Sequence, residues 1–144
     1  MDTQNYANHR RFFPPFHFVL LPLLLLTLGG SITNLCLSWG DHSRIYSASL
    51  IFVLSLSMIM LMGFSRMFAL KAQDRAIRAE ENLRHYVLTG KLLDPKLTIR
   101  QIIGLRFAPD AEFVALAQRA AAESLSEDDI KKAVKNWKAD TYRV

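Results

Sequence analysis

The chain has 144 residues, a formal net charge of +5, and 51% hydrophobic against 22% charged residues. Its single cysteine, Cys36, excludes an intrachain disulfide framework. No block of five like charges occurs, which excludes a polybasic or polyacidic interaction tail.

Those averages mix two unlike parts. Residues 12–70 are lipid-like in composition, whereas residues 71–144 carry 14 Lys or Arg against 11 Asp or Glu. The later part is close to the lower size limit for an independent core, so the membrane helices, a copy of itself or a partner are expected to help order it. The expected organisation is an N-terminal cytoplasmic segment at 1–14, a transmembrane hairpin at 15–70 and a cytoplasmic helical domain at 71–144.

Pro14 and Pro15 stand where a first helix would begin, a position that tolerates proline. The 24 residues from Phe16 to Trp39 and the 21 from Ile45 to Ser65 contain no Asp, Glu, Lys or Arg. As helices they reach roughly 36 and 32 Å. A bilayer's hydrocarbon core is about 30 Å thick, so each run is long enough to cross it once. Backbone groups in lipid must bond within their own segment, which predicts two helices, with spans at about 16–39 and 45–68. The first apolar run is too long for a signal-peptide core, and Leu37 to Gly40 is a poor cleavage site, so an uncleaved span is expected. Pro22 should bend it modestly.

The early half of this span is nearly pure leucine. The later half holds Thr27, Gly30, Ser31, Asn34 and Ser38, which share one helical face. Small, weakly polar stripes serve close helix packing in lipid. The stripe could pack on the chain's own second span, contact another copy or subunit, or line a water path. Cys36 reads as a small apolar side chain. The methionines of the second span, Met58, Met60 and Met62 with Met67 beyond, define no helical face and read as lipid-facing or gap-filling.

Arg10 and Arg11 precede the first span, while Arg66, Lys71, Arg75 and Arg78 close or follow the second. The intervening turn has one arginine, Arg44, offset by Asp41. The positive-inside rule then puts both termini in the cytoplasm, and the six flanking cations are candidates for lipid headgroups.

Beyond the second span, Ala69, Ala72, Ala76, Ala79, Leu83 and Tyr86 alternate spacings of three and four, a heptad-like seam. Asp74 with Arg78 and Glu80 with Arg84 are spaced for i,i+4 pairs. One projecting helix from about Ile45 to Thr89 is expected, stopped by Gly90, with the C-terminal helices docking on its seam. Thr98 and Gln101 form a capping box for a short helix with apolar Ile99, Ile102, Ile103 and Leu105. Pro109, Asp110 and Glu112 open another, whose stripe is Phe113, Leu116, Ala117 and Ala120. Ser126 caps a last helix, with Asp129 at N3 and a Leu125–Ile130 staple. Its expected buried face is Ile130, Ala133, Val134 and Trp137, with Lys131, Lys132, Lys135 and Lys138 toward its negative end.

Three stretches, Asn5 to Phe18, Leu97 to Phe113 and Asp129 to Arg143, resemble together a family of small two-span bacterial inner-membrane proteins of unknown function, mainly from Bacteroidota. The resemblance implies the same all-α architecture, a two-helix transmembrane hairpin with a helical cytoplasmic tail. It carries no activity.

The residues themselves offer no chemistry. His9, His17, His42 and His85 are scattered, so no metal site is expected. His85 reads as a surface pair with Glu81. No nucleophile stands in a recognised pattern beside a base, and no acid lies in either span, which argues against ion relay. Neither an enzyme nor a cofactor is expected, and the matched charges of the tail give no reason to expect nucleic acid. The expected function is a non-enzymatic membrane-anchored interaction or assembly protein of the bacterial inner membrane, an accessory subunit or a homo-oligomer. Its partners are lipids and another membrane protein or itself. The alternative is a small oligomeric pore or transporter accessory lined by the first span. Candidate contact residues are Thr27, Gly30, Ser31, Asn34 and Ser38 in lipid, with Ala72, Ala76, Ala79, Leu83, Phe107, Phe113, Trp137 and Tyr142 below it. For Phe113 and Trp137 the tail's own core is the favoured role.

Overall fold

The structure is a computed structural model that describes residues 4–8 and 13–140. Among these residues it is all-helical, with a π-helical turn at Pro15–Leu20 and five α-helices: α1 Leu21–Leu37, α2 His42–Thr89, α3 Ile99–Leu105, α4 Asp110–Glu123 and α5 Glu127–Ala133. Two compact units share α2: one holds residues 13–69, the other 70–140 together with 4–8. The N-terminal segment belongs with the tail. Tyr6 donates its hydroxyl to Asp128 at 2.5 Å, and the Asp140 amide donates to Gln4 at 2.7 Å. Lys132 lies over the Tyr6 ring at 5.4 Å.

Pro22 acts one turn ahead of itself. Lacking an N–H, and with a ring that crowds the carbonyl four residues back, it displaces the preceding turn. That turn widens to π geometry, and the Leu21 amide bonds Phe16 O, five residues back. The chain then reverses through Gly40, at φ +90. The Asp41 carbonyl accepts the Ile45 amide at 2.9 Å, and its carboxylate accepts the Ser43 amide and hydroxyl at 2.9 and 2.7 Å. The Ser43 hydroxyl, then its amide, hold the Asp41 carboxyl below its ordinary value. Arg44 pairs with Asp41 at 3.2 Å, which keeps the turn nearly neutral.

Within the first unit each helix has one face less exposed than the rest. On α1 it is Leu21, Leu24, Leu28, Ser31 and Leu35, continued by Ser38. On α2 it is Ile45, Ala48, Phe52, Ser55, Ile59, Met62 and Arg66. Both sets alternate three and four, the pattern of a face turned to a neighbouring helix. Arg66 lies over the Phe16 ring at 5.0 Å.

In the second unit α2 ends at Gly90, whose φ of +72 reverses the chain without a Cβ penalty. Both halves of the Thr98–Gln101 capping box form. Ser126 accepts from the Asp129 amide at the start of α5, and Leu125 and Ile130 join the core. Phe113, Leu116, Ala117 and Ala120 are the buried stripe of α4. Gly104 lets α3 approach α5: a Cβ there would stand 3.0 Å from Glu127 O and 3.1 Å from Ile130 Cγ2.

Four readings change. The tail packs against Ile77, Glu81 and His85 of α2, while Ala72, Ala76, Ala79 and Leu83 stay exposed. The docking face is polar because each of its charged or ring groups finds a bond there. His85 is accordingly buried rather than at the surface: its Nδ1 lies 2.7 Å from the Lys91 carbonyl and its ring meets Phe113 edge-on. Arg84 pairs with Glu81 and Asp110, not Glu80, because α4 brings Asp110 within 2.6 Å. Finally, α5 stops at Ala133, so Trp137, Lys135 and Lys138 lie beyond it. The Lys135 and Asn136 amides donate to the Glu112 carboxylate at 3.0 and 3.2 Å, and the Lys138 amide to Phe107 O at 2.8 Å. A competing acceptor on α4 thus takes the amides a longer helix would use.

Candidate interaction surfaces

Seven hydroxyls of the first unit bond to carbonyls of their own helices. Thr27 donates to Leu23 O, Ser31 to Leu28 O and Thr33 to Gly29 O. On α2, Ser47, Ser49, Ser55 and Ser57 likewise donate to carbonyls three or four residues back. Such back-bonding satisfies a hydroxyl without water.

Of the stripe read from the sequence, Ser31 and Ser38 are buried, whereas Thr27, Gly30 and Asn34 are exposed. At 100° per residue, the less exposed face of α1 is centred about 70° round the helix from the small-residue stripe. Leucines rather than small residues fill most of that face. The Thr27–Gly30–Asn34 edge is left uncovered.

A network joins α2 to the start of α4. The Arg84 guanidinium reaches Glu81 at 3.1 Å, Asp110 at 2.6 Å and the Ala108 carbonyl at 2.7 Å, and lies 4.2 Å over the Phe113 ring. The Arg84 and Glu81 side chains are only 12% and 9% exposed, against 67% for Asp110. Reading i,i+4 spacing alone missed it, since Asp110 lies 26 residues away.

Phe107 is fully buried, which corrects its assignment as a contact residue: it belongs to the tail's own core. Half-buried Trp137 lies against it at 4.7 Å, with Arg106 and Lys131 over the ring at 4.7 and 5.8 Å. Phe113 is likewise core. Arg10, Arg11 and Tyr142 lie outside the described residues. Of the other cations, Arg66 is half-buried and Lys71, Arg75 and Arg78 are exposed.

A cleft of about 370 Å³ opens beside Ile77, Glu81, Arg106 and Lys138, and one of about 530 Å³ beside His85, Lys91 and Leu97. In the first, Arg106 is paired with Asp140 at 3.3 Å. Neither is lined by Ser, Thr or Cys. Among the described residues no group of three or more His, Cys, Asp or Glu is placed to hold a metal.

These features define an all-helical protein in which Pro15–Leu37 and His42–Thr89 are long and apolar enough to cross a membrane. Over residues 1–144 the chain matches the Family of unknown function (DUF6526), and it belongs to that family. No curated protein and no solved structure matches it.

Proposed function

We propose that the protein is a non-enzymatic, membrane-anchored interaction protein of a bacterial inner membrane, spanning it as a two-helix hairpin with both termini in the cytoplasm. The observation that carries this reading is the exposure of the two apolar helices. Only 6% of the apolar stretch of the first and 11% of that of the second are buried by the chain itself. A core helix of a water-soluble protein would be mostly covered, so lipid is the fitting surround. Self-bonded hydroxyls suit that medium. The contacts of Tyr6 and Gln4 with Asp128 and Asp140 support an even number of crossings, because the N-terminal segment and tail must share one side to touch.

The partner-facing edge in lipid is Thr27, Gly30 and Asn34. Gly30 has open space around a notional Cβ, so a second helix can approach its backbone. The pore alternative has less support, since Thr27 and Ser31, two of the hydroxyls that would line it, already spend their donors on their own helix. A reporter fused at residue 42 should read as external and one at 144 as internal. Extraction in gentle detergent should then recover a complex that Gly30→Leu or Asn34→Leu depletes. A monomer without cross-linked partners, or the reversed reporter pattern, would overturn the proposal.

A further inference from the structure

Beyond the face that holds the tail, α2 is bare in what should be water, with Ala76 and Glu80 at the rim of the cleft that Arg106 and Lys138 of the tail also line. Ala72, Ala76, Ala79, Leu83 and Tyr86 are exposed, Leu83 by 63% and Tyr86 by 53%. They continue Ala69 in a three-four alternation, so 69, 76 and 83 occupy heptad position a and 72, 79 and 86 position d. Ile77, Glu81 and Arg84, which hold the tail, fall at b and f, away from this seam. Aqueous apolar faces of this kind mark contact surfaces.

We propose that this seam receives a second copy of the chain, parallel and in register. This rests on the membrane reading above, since two copies inserted with one topology must present their α2 helices in parallel. Charge selects the occupant. In that arrangement the g position of one helix faces the following e position of the other. Arg75 is at g and Glu80 at the next e, so a twofold axis brings Arg75 to Glu80 of the second copy twice. Among the described residues neither makes an ion pair, although both are exposed. Of the remaining flanking residues, Asn82 at g faces Val87 at the following e, and Gln73 is uncharged too, so no like charges meet. The seam is under three heptads and mostly alanine, which permits close approach with little apolar area. Confinement to one membrane and one orientation lowers the cost of association that so short a seam could not offset in solution.

The test is disulfide trapping in native membranes, in a Cys36→Ser chain. Residues that meet across such a seam approach the roughly 4.4–6.8 Å Cα separation a disulfide needs. Ala76→Cys and Leu83→Cys should give a dimer of twice the chain mass, and Arg78→Cys, at position c, should not. Arg75→Glu or Glu80→Arg alone should weaken association about tenfold, and the two together should restore it. That restoration separates a true pairing from a folding defect. If the chain is membrane-embedded but the seam cysteines trap nothing, or trap a different protein, the inference falls and the membrane reading stands. Equal trapping at Arg78→Cys, or no restoration in the double swap, overturns it too. A chain that fractionates with soluble protein removes both.

Discussion

Replacing Arg84 by Met tests what fixes the tail to α2. Methionine keeps a similar apolar stem but removes the guanidinium and with it the contact over the Phe113 ring. Glu81, with a side chain 9% exposed, then loses its only ion-pair partner among the described residues. Removing one member of a buried pair costs about 3–5 kcal/mol, because the other charge is left unpaired. The Ala108 carbonyl loses its donor as well. Asp110 contacts the same guanidinium but is 67% exposed, and Asp110→Asn should cost only about 0.5–1 kcal/mol. Glu81→Leu with Arg84→Met leaves no buried charge and should recover most of the loss. The readout is urea unfolding of the tail in detergent, followed by Trp137 fluorescence in a Trp39→Phe chain, with hydrogen exchange of the α4 amides as a local check. Against a domain stability of about 5–15 kcal/mol, the single change is large. Equal losses for Arg84→Met and Asp110→Asn would refute the reasoning, as would a double variant no better than Arg84→Met.

Gly104→Ala should destabilise the tail by about 1 kcal/mol in the same unfolding assay, overpacking of about 1–3 kcal/mol being partly offset by better helix propensity. The contact that decides its sign is with Glu127 O, a backbone atom at the start of α5 that cannot rotate aside. Thr98→Ala removes the hydroxyl of the capping box and should cost about 1 kcal/mol, seen as faster exchange of the α3 amides. The Glu112 carboxyl is held below its ordinary value chiefly by the Lys135 amide. A depressed folded value contributes stability above the unfolded value, and that stability is lost as pH falls through the folded one. Trp137 should therefore loosen from Phe107 as the pH falls below the ordinary glutamate range, and Glu112→Gln should remove that step from its fluorescence titration.

What the sequence made legible was local. Gly90, Thr98 with Gln101, Pro109 and Ser126 each act within four residues, and all mark helix ends in the structure. The length of α5 was not legible, because the acceptor that ends it, Glu112, lies 23 residues before Lys135. Nor was the depth of His85, whose acceptor is a carbonyl beyond the helix stop. The small-residue stripe of α1 followed from spacing, but spacing cannot say which neighbour a face meets. The leucines of the adjacent face proved the less exposed.

The choice of face on α2 turns on which residues can be buried in one way only. Alanines make a smooth surface that accepts a helix in many registers. Glu81, Arg84 and His85 are costly to bury except where Asp110, the Ala108 carbonyl and the Lys91 carbonyl stand. An ion pair of this kind contributes little to stability over an apolar pair, yet a wrong register leaves charges unpaired and is strongly disfavoured. The tail is thus directed to one face by its polar groups and held there by Phe113, Ile77 and their neighbours. The alanine seam is spared as a consequence. Had Ile77, Glu81 and His85 been alanines too, the two faces would compete for the tail, and a second copy would have to displace it.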